Sequence, residues 1–306
     1  MSQISVLIPL YNKASEVERT VRSVLAQSSL PREIIIVDDG STDRSLEVVR
    51  AIESPLIKII TQPNAGVSAA RNRAIREAQG EWVALLDADD RWHADYLAEQ
   101  ERMICLYPDC GAYATAFKVD DGKREVVGDT PQEEGVVDFF VESMRRYVMI
   151  PSATLLRREL LLELGGFPDG VRMGEDQYLW TKVARRAKVA FSPKPLVVYS
   201  RVAENRSATI FKPEVTKFSL EDLYDESASA ISNEYVARVA LGKALVESTR
   251  GGTAQAERAL KFFAYNTMSK RLERKVRLLN ALPVKLRPKV MALYNWLAWV
   301  IARKGL

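Results

Sequence analysis

From Ile4 to Leu86, short runs of consecutive apolar residues alternate with stretches whose apolar positions recur every three or four residues. Ile4–Pro9, Glu33–Val37, Ile57–Thr61 and Trp82–Leu86 are rich in β-branched side chains and bounded by turn or cap residues, and they predict strands buried on both faces. Between them, Ser15–Gln27, Ser41–Glu53 and Val67–Ala78 predict helices, with Val17, Val21, Val24 and Leu25 as the clearest apolar stripe. A further helix is predicted over Asp95–Tyr107. Alternation of this kind predicts an α/β fold with a mostly parallel sheet flanked by helices. Ligands of such sheets bind outside the carboxyl ends of the strands, so Pro9–Asn12, Asp38–Asp43, Gln62–Gly66 and Asp87–Asp90 are expected to converge on one site.

Two of those loops are strongly acidic, VDDGSTD at Val37–Asp43 and LLDADD at Leu85–Asp90. Asp39-Gly40 also suits a turn, and Ser41, Thr42 or Asp43 also suits a helix cap. Asp87, Asp89 and Asp90 repel one another, a cost that a bound cation relieves; a solvated acidic turn is the alternative. Arg71 lies one turn into a helix whose amino end favours anions, with Arg73 beside it, and a nucleoside diphosphate there would meet both; ordinary surface arginines are the other reading.

The ordered segments VLIPLYNKASEVERTVRSVLAQ, VDDGSTD, NAGVSAARN, LLDADDRW and GGFPDGVRMGEDQYLW resemble the successive motifs of family-2 glycosyltransferases with the GT-A fold, over about Ile4–Arg201. The resemblance implies a nucleotide-diphospho-sugar transferase fold and a role for each matching residue. Pro9, Tyr11, Asp38 and Asp39 match positions that hold base and ribose, and Asn64 and Arg71 match positions near the base or diphosphate. Asp87-Ala88-Asp89 matches the DxD motif, with Asp87 expected on the sugar or ribose, Asp89 on a Mn2+ or Mg2+ ion, and Asp90 in support. Glu175-Asp176 matches the acidic pair that opens a helix and supplies the base, Asp176 being the base and Glu175 supporting it. A carboxylate base removes the acceptor proton and a divalent cation offsets the charge of the leaving diphosphate, and one direct displacement inverts the anomeric centre.

The chain departs from the family in two places. The histidine that many relatives carry after the last sheet strand is missing from Tyr199–Thr209, where Glu204, Asn205 or water would have to complete the metal shell. The QxxRW signature of processive synthases is also missing, which points to transfer of one sugar or a few per encounter. His93, the single histidine, reads as structural. Arg201 and Arg206, with Lys212, lie in a polar segment that would order over the diphosphate or serve as a solvated linker.

Length predicts about two domains; the resemblance makes the first a GT-A catalytic domain over 1–213, and the rest, 214–306, reads as a helical region in which Glu234–Thr249 and Thr253–Met268 are helices broken by Arg250-Gly251-Gly252. The net charge of +4 conceals a tail with eight Lys or Arg and no Asp or Glu from Arg274 onward. Within it Val290–Ala302, with Pro288 in its first turn and Trp296 and Trp299 along it, resembles an interfacial anchor for anionic lipid; docking on the domain or on a second subunit as a homodimer is the alternative. Cys105 and Cys110 lack metal-type spacing and suit a reducing compartment, no signal peptide is expected, and no nucleic-acid reading motif is present. The expectation is an inverting, metal-dependent glycosyltransferase. It would be cytoplasmic and peripheral on the inner membrane face, with a nucleotide-sugar donor and a glycan or lipid-linked acceptor. A soluble protein or glycan acceptor and a non-catalytic sugar-nucleotide-binding scaffold are its rivals. A dehydrogenase is disfavoured because the first strand leads into PLYNKAS and not a GxGxxG turn.

Overall fold

The computed structural model describes residues 3–171, 173–203 and 218–304. Its first half follows the predicted alternation: β1 (Ile4–Leu10), α1 (Val17–Leu25), β2 (Glu33–Asp38), α2 (Ser45–Arg50), β3 (Ile57–Thr61), α3 (Val67–Glu77) and β4 (Trp82–Leu85). Next come β5 (Arg91–Trp92), α4 (Tyr96–Leu106), β6 (Cys110–Asp120), β7 (Glu125–Val127), β8 (Gly135–Val137) and α5 (Phe139–Ser143). The sheet is completed by β9 (Thr154–Arg157), α6 (Arg158–Glu163), α7 (Glu175–Arg186) and β10 (Lys188–Ser200).

These strands form one sheet in the order β3-β2-β1-β4-β9-β6-β10-β5, with β7 on β6 and β8 on β10. Strands β1 to β4 are mutually parallel, as are β6 and β10, while β9 runs antiparallel between β4 and β6. The sheet is therefore mostly parallel, and the ends of β1, β2, β3, β4, β6 and β10 that carry the functional loops lie along one edge. Strands β1, β2 and β4 are buried on both faces as predicted, because helices cover them and a neighbour lies on each side. β3 differs: it closes the sheet at one side and is only half-buried. Beneath the site, Val6, Ile8, Ile34, Ile36 and Ala84 pack with Val17, Val21 and Val24 of α1 in one apolar cluster.

The chain divides into two compact units, Met1–Phe218 and Ser219–Leu306. The second contains α8 (Ala230–Thr249), α9 (Thr253–Phe262), α10 (Lys270–Asn280) and α11 (Arg287–Lys304). Leu241, Ala244, Ala256, Leu260 and Val276 form its core. The helix expected over Thr253–Met268 stops at Phe262 and turns through a short 3-10 segment. The Glu234 carboxylate accepts the backbone N–H groups of Thr267 and Met268, so that stretch finds partners outside a helix. Arg287 is buried and donates to the carbonyls of Ser248, Asn280 and Leu282, which fastens the carboxyl ends of α8 and α10.

Candidate functional site

The loops after β1 and β2 are laced together. Asn12 takes a left-handed backbone (φ 51°), and its side-chain oxygen accepts the Thr42 N–H at 2.7 Å. The Asn12 N–H donates to Ser41 Oγ, and Lys13 N–H donates to Ser45 Oγ. This leaves Pro9 half-buried at the strand end and the Tyr11 ring exposed beside it.

Asp38 and Asp39 do different work. Asp39 is buried and both its carboxylate oxygens organise the loop after β3, accepting Gln62 Nε2 at 2.7 Å, Ala65 N–H at 2.9 Å and Gly66 N–H at 2.7 Å. Asn64, an exposed residue, donates to the Asp39 carbonyl. Asp38 is equally buried, yet its Oδ1 has no hydrogen-bond partner. An orphaned buried carboxylate oxygen is costly, and a ligand N–H or O–H would satisfy it.

The Asp87–Asp90 loop is held by partners from distant parts of the chain. Asp90 is 1% exposed, accepting Ser152 Oγ–H on Oδ2 and Ser200 N–H on Oδ1. Burial, and after it the charges of Asp89 and Asp87, push its carboxyl well above the usual range. Ser152 Oγ in turn accepts the Asp87 N–H, and Thr20 Oγ1 lies within hydrogen-bond distance of the Ala88 and Asp90 carbonyls. The carboxylates of Asp87 and Asp89 remain partly open to solvent. Asp89 Oδ2 accepts Lys13 Nζ at 2.8 Å, while burial and the Asp87 charge push the Asp89 carboxyl up against that pull.

Arg71 connects this loop to the acidic pair. Its guanidinium is 3% exposed, donates to Asp87 Oδ1 at 2.7 Å, lies 3.6 Å from Glu175 Oε1 and stacks over the Phe167 ring at 4.9 Å. Glu175 and Asp176 form the first turn of α7, where the helix dipole favours acids. Desolvation, followed by the neighbouring Glu175 charge, pushes the Asp176 carboxyl up to about 7, with Arg71 pulling the other way.

Thus Pro9, Tyr11, Asp38, Asp39, Asn64, Arg71, Asp87, Ala88, Asp89, Asp90, Glu175 and Asp176 lie at strand ends, on the loops that follow them or in the first two turns of helices along one edge of the sheet. Arg201 is exposed at the end of β10, its N–H donating to Asp120 O, next to the Ser200 that binds Asp90. Arg206 lies outside the described residues. Sequence reasoning missed Lys13, Ser152, Ser200 and Asn72; the cation in YNK was the available signal for the first, and only topology brings it to Asp89. His93 is exposed, with its backbone bonded to Leu196 and Gln27, and touches none of these groups.

Among the described residues no group of three His, Cys, Asp or Glu is placed to hold a metal alone. Two partly open carboxylates, Asp87 and Asp89, suit a Mg2+ or Mn2+ that takes its remaining oxygens from a diphosphate and water, since such ions are commonly held by one or two carboxylates plus substrate phosphates.

Residues 5–165 match the family described as glycosyl transferase family 2. The chain is 44% identical over 185 residues to an uncharacterized glycosyltransferase, YibD, of Escherichia coli K12, covering 60% of this chain and 46% of that protein. It is 37% identical over 138 residues to chondroitin synthase of Pasteurella multocida, covering 40% of this chain and 14% of the synthase. The chain spans less than half the length of the curated relatives it matches first. The crystal structure of S. aureus TarS 1-349 in complex with UDP-GlcNAc superposes with a TM-score of 0.71 over 92% of this chain and 88% of that one at 22% identity, a likeness of fold.

Proposed function

Because the chain belongs to glycosyl transferase family 2, we propose that it moves a sugar from a nucleoside-diphosphate sugar to an acceptor hydroxyl on a glycan or lipid-linked glycan, with inversion and with Asp176 as the base. The observation that carries this reading is the Arg71 guanidinium, which contacts Asp87 of the donor loop and Glu175 of the acid pair at once. On this reading, the donor loop and the base share the ionic cluster centred on Arg71.

Tyr11 offers an exposed ring for the nucleobase, and Asp38 Oδ1 offers an unused acceptor for an N–H or O–H of the nucleoside. Asp87 and Asp89 would hold the Mn2+ or Mg2+, which when bound neutralises charge on the departing diphosphate. Lys13 and Arg71 add fixed positive charge at the same place. Asp176 accepts the acceptor hydroxyl proton as the oxygen attacks the anomeric carbon, and a carboxyl poised near neutrality suits that task. TarS was solved with UDP-GlcNAc and the Pasteurella relative is a chondroitin synthase, which supports a nucleotide-sugar donor and a polysaccharide product. A panel of UDP-, GDP- and dTDP-sugars screened by thermal unfolding with Mn2+ tests the reading. One donor is expected to raise Tm by several degrees, as ligand at about 100 times Kd adds about 2.7 kcal/mol. No shift with any nucleotide sugar would overturn it.

The membrane part of this reading rests on the second unit. Among the described residues no helix is long and apolar enough to cross a membrane. Leu278 of α10, Val284 and Leu286 of the connecting turn, and Val290 and Leu293 of α11 are exposed, among Arg274, Lys275, Lys285 and Lys289. Lys275 lies 4.3 Å from the Tyr294 ring, so cations and apolar groups of the two helices share one surface. Each cation near an anionic leaflet contributes about 1 kcal/mol, and the leucines add burial. In flotation with anionic vesicles, Lys285→Glu/Lys289→Glu and Leu278→Ser/Leu293→Ser are each expected to lower binding about tenfold or more. Unchanged binding in both, or a change from dimer to monomer in its place, would assign the surface to protein packing.

A further inference from the structure

The segment that joins α6 to α7 carries the base toward the site, yet it has little regular structure to fix it. Gly165, Gly166, Gly170, Met173 and Gly174 all have positive φ, and no strand occurs among the described residues between the two helices. It is attached to Asn72, a buried residue of α3 next to Arg71. The Asn72 side-chain amide pairs with the Phe167 backbone in both directions. Phe167 N–H donates to Asn72 Oδ1 at 2.8 Å, and Asn72 Nδ2 donates to Phe167 O at 2.8 Å. The same nitrogen donates to Asp169 Oδ1 at 3.1 Å. A carboxamide offers a coplanar donor and acceptor as a peptide group does; aspartate lacks the donors, and serine lacks the reach.

The contact also dictates the neighbouring residue. A Cβ on Gly166 would lie 2.3 Å from Asn72 Oδ1, and its φ of +70° already favours glycine. Held in this way, the Phe167 ring is 1% exposed and packs between the Arg71 guanidinium at 4.9 Å and the Trp180 ring of α7 at 6.0 Å. Lys182, also on α7, donates to the Leu164 carbonyl at the start of the segment. Asn72 and Phe167 thus form a strut from α3, which carries the arginine on Asp87, to α7, which carries Asp176.

We propose that Asn72 is a positioning residue for the reaction: through Phe167 and Asp169 it fixes the α7 acid pair at the distance from the donor loop that displacement requires. The inference rests on Asp176 as the base. A misplacement of about 1 Å costs on the order of 100-fold in rate, whereas Tyr11 and Asp38 belong to other loops and Arg71 keeps its own bond to Asp87 when the strut is broken.

The test uses the full chain and the nucleotide sugar that wild type hydrolyses fastest with Mn2+. Asn72→Ala and Asn72→Asp are expected to lower kcat for nucleoside diphosphate release about 10- to 100-fold while calorimetric affinity for that nucleoside diphosphate stays within about threefold. Gly166→Ala should reproduce the split from the other side of the contact. The double variant Asn72→Ala/Gly166→Ala should fall no further than the worse single variant, because both break one strut. If Asn72→Ala fails to fold, the isosteric Asn72→Asp, which keeps an acceptor for Phe167 N–H, and Gly166→Ala carry the comparison. Turnover within twofold of wild type, or turnover and affinity falling together, would overturn the proposal. Asp176→Asn measured in parallel separates the two claims: an inactive Asp176→Asn beside an unimpaired Asn72→Ala overturns the strut alone.

Discussion

Replacing Asp176 with asparagine is expected to lower sugar transfer and donor hydrolysis by about 10²- to 10⁴-fold, the usual contribution of a general base, with donor affinity changed by no more than a few-fold. The asparagine keeps the shape and the first-turn position but has no basic oxygen to take the hydroxyl proton. The loss should therefore fall on kcat and not on binding. With Asp176 as the proposed base, the reactive form in wild type is the carboxylate. The Asp176 carboxyl sits at about 7 through desolvation and the neighbouring Glu175, so the rate should fall as pH drops through that value. Glu175→Gln removes the like charge and should move this acidic limb to lower pH. An Asp176→Asn enzyme within a few-fold of wild type would rule out the base assignment.

The first half of the sheet could be read from the sequence because its strands are continuous apolar runs between amphipathic helices. Strands β6, β9 and β10 gave no such signal. β6 is built on Gly111, Ala112, Ala114 and Ala116, weak strand formers that are nonetheless buried where β9 and β10 flank it. β10 contains Pro193 and Pro195, and its pairing with β6 shifts register at that point. Tertiary pairing, not local preference, forms these strands. The reading of β3 as fully buried failed for a related reason, since position in the sheet order is not written in a strand's own residues.

The site shows the same division. The acidic motifs and Arg71 were legible because their residue types are unusual at strand ends and helix starts. Lys13 on Asp89, Ser152 between Asp87 and Asp90, Ser200 on Asp90 and Asn72 on Phe167 were not, because each is an ordinary residue whose partner lies far away in sequence. Asp39 was expected at the ligand, and the structure puts its carboxylate to work on the Gln62–Gly66 loop. Asp38, beside it, keeps the unused oxygen. Sequence could locate the pair but could not apportion the roles, which depend on the direction of each side chain at the end of β2.

The donor site is tested most directly by isothermal titration calorimetry of the nucleoside diphosphate of the preferred donor, with Mn2+ and then with EDTA. A diphosphate placed against Asp87 and Asp89 meets like charge, which Lys13 and Arg71 offset only in part because both are already paired with those carboxylates. Tight binding with Mn2+ is expected, with affinity weakened at least about 100-fold in EDTA, a loss of about 2.7 kcal/mol. Asp89→Ala in the presence of Mn2+ should lose a comparable amount. Equal affinity with and without the cation, unaltered in Asp89→Ala, would contradict a metal-assisted diphosphate site at the end of β4.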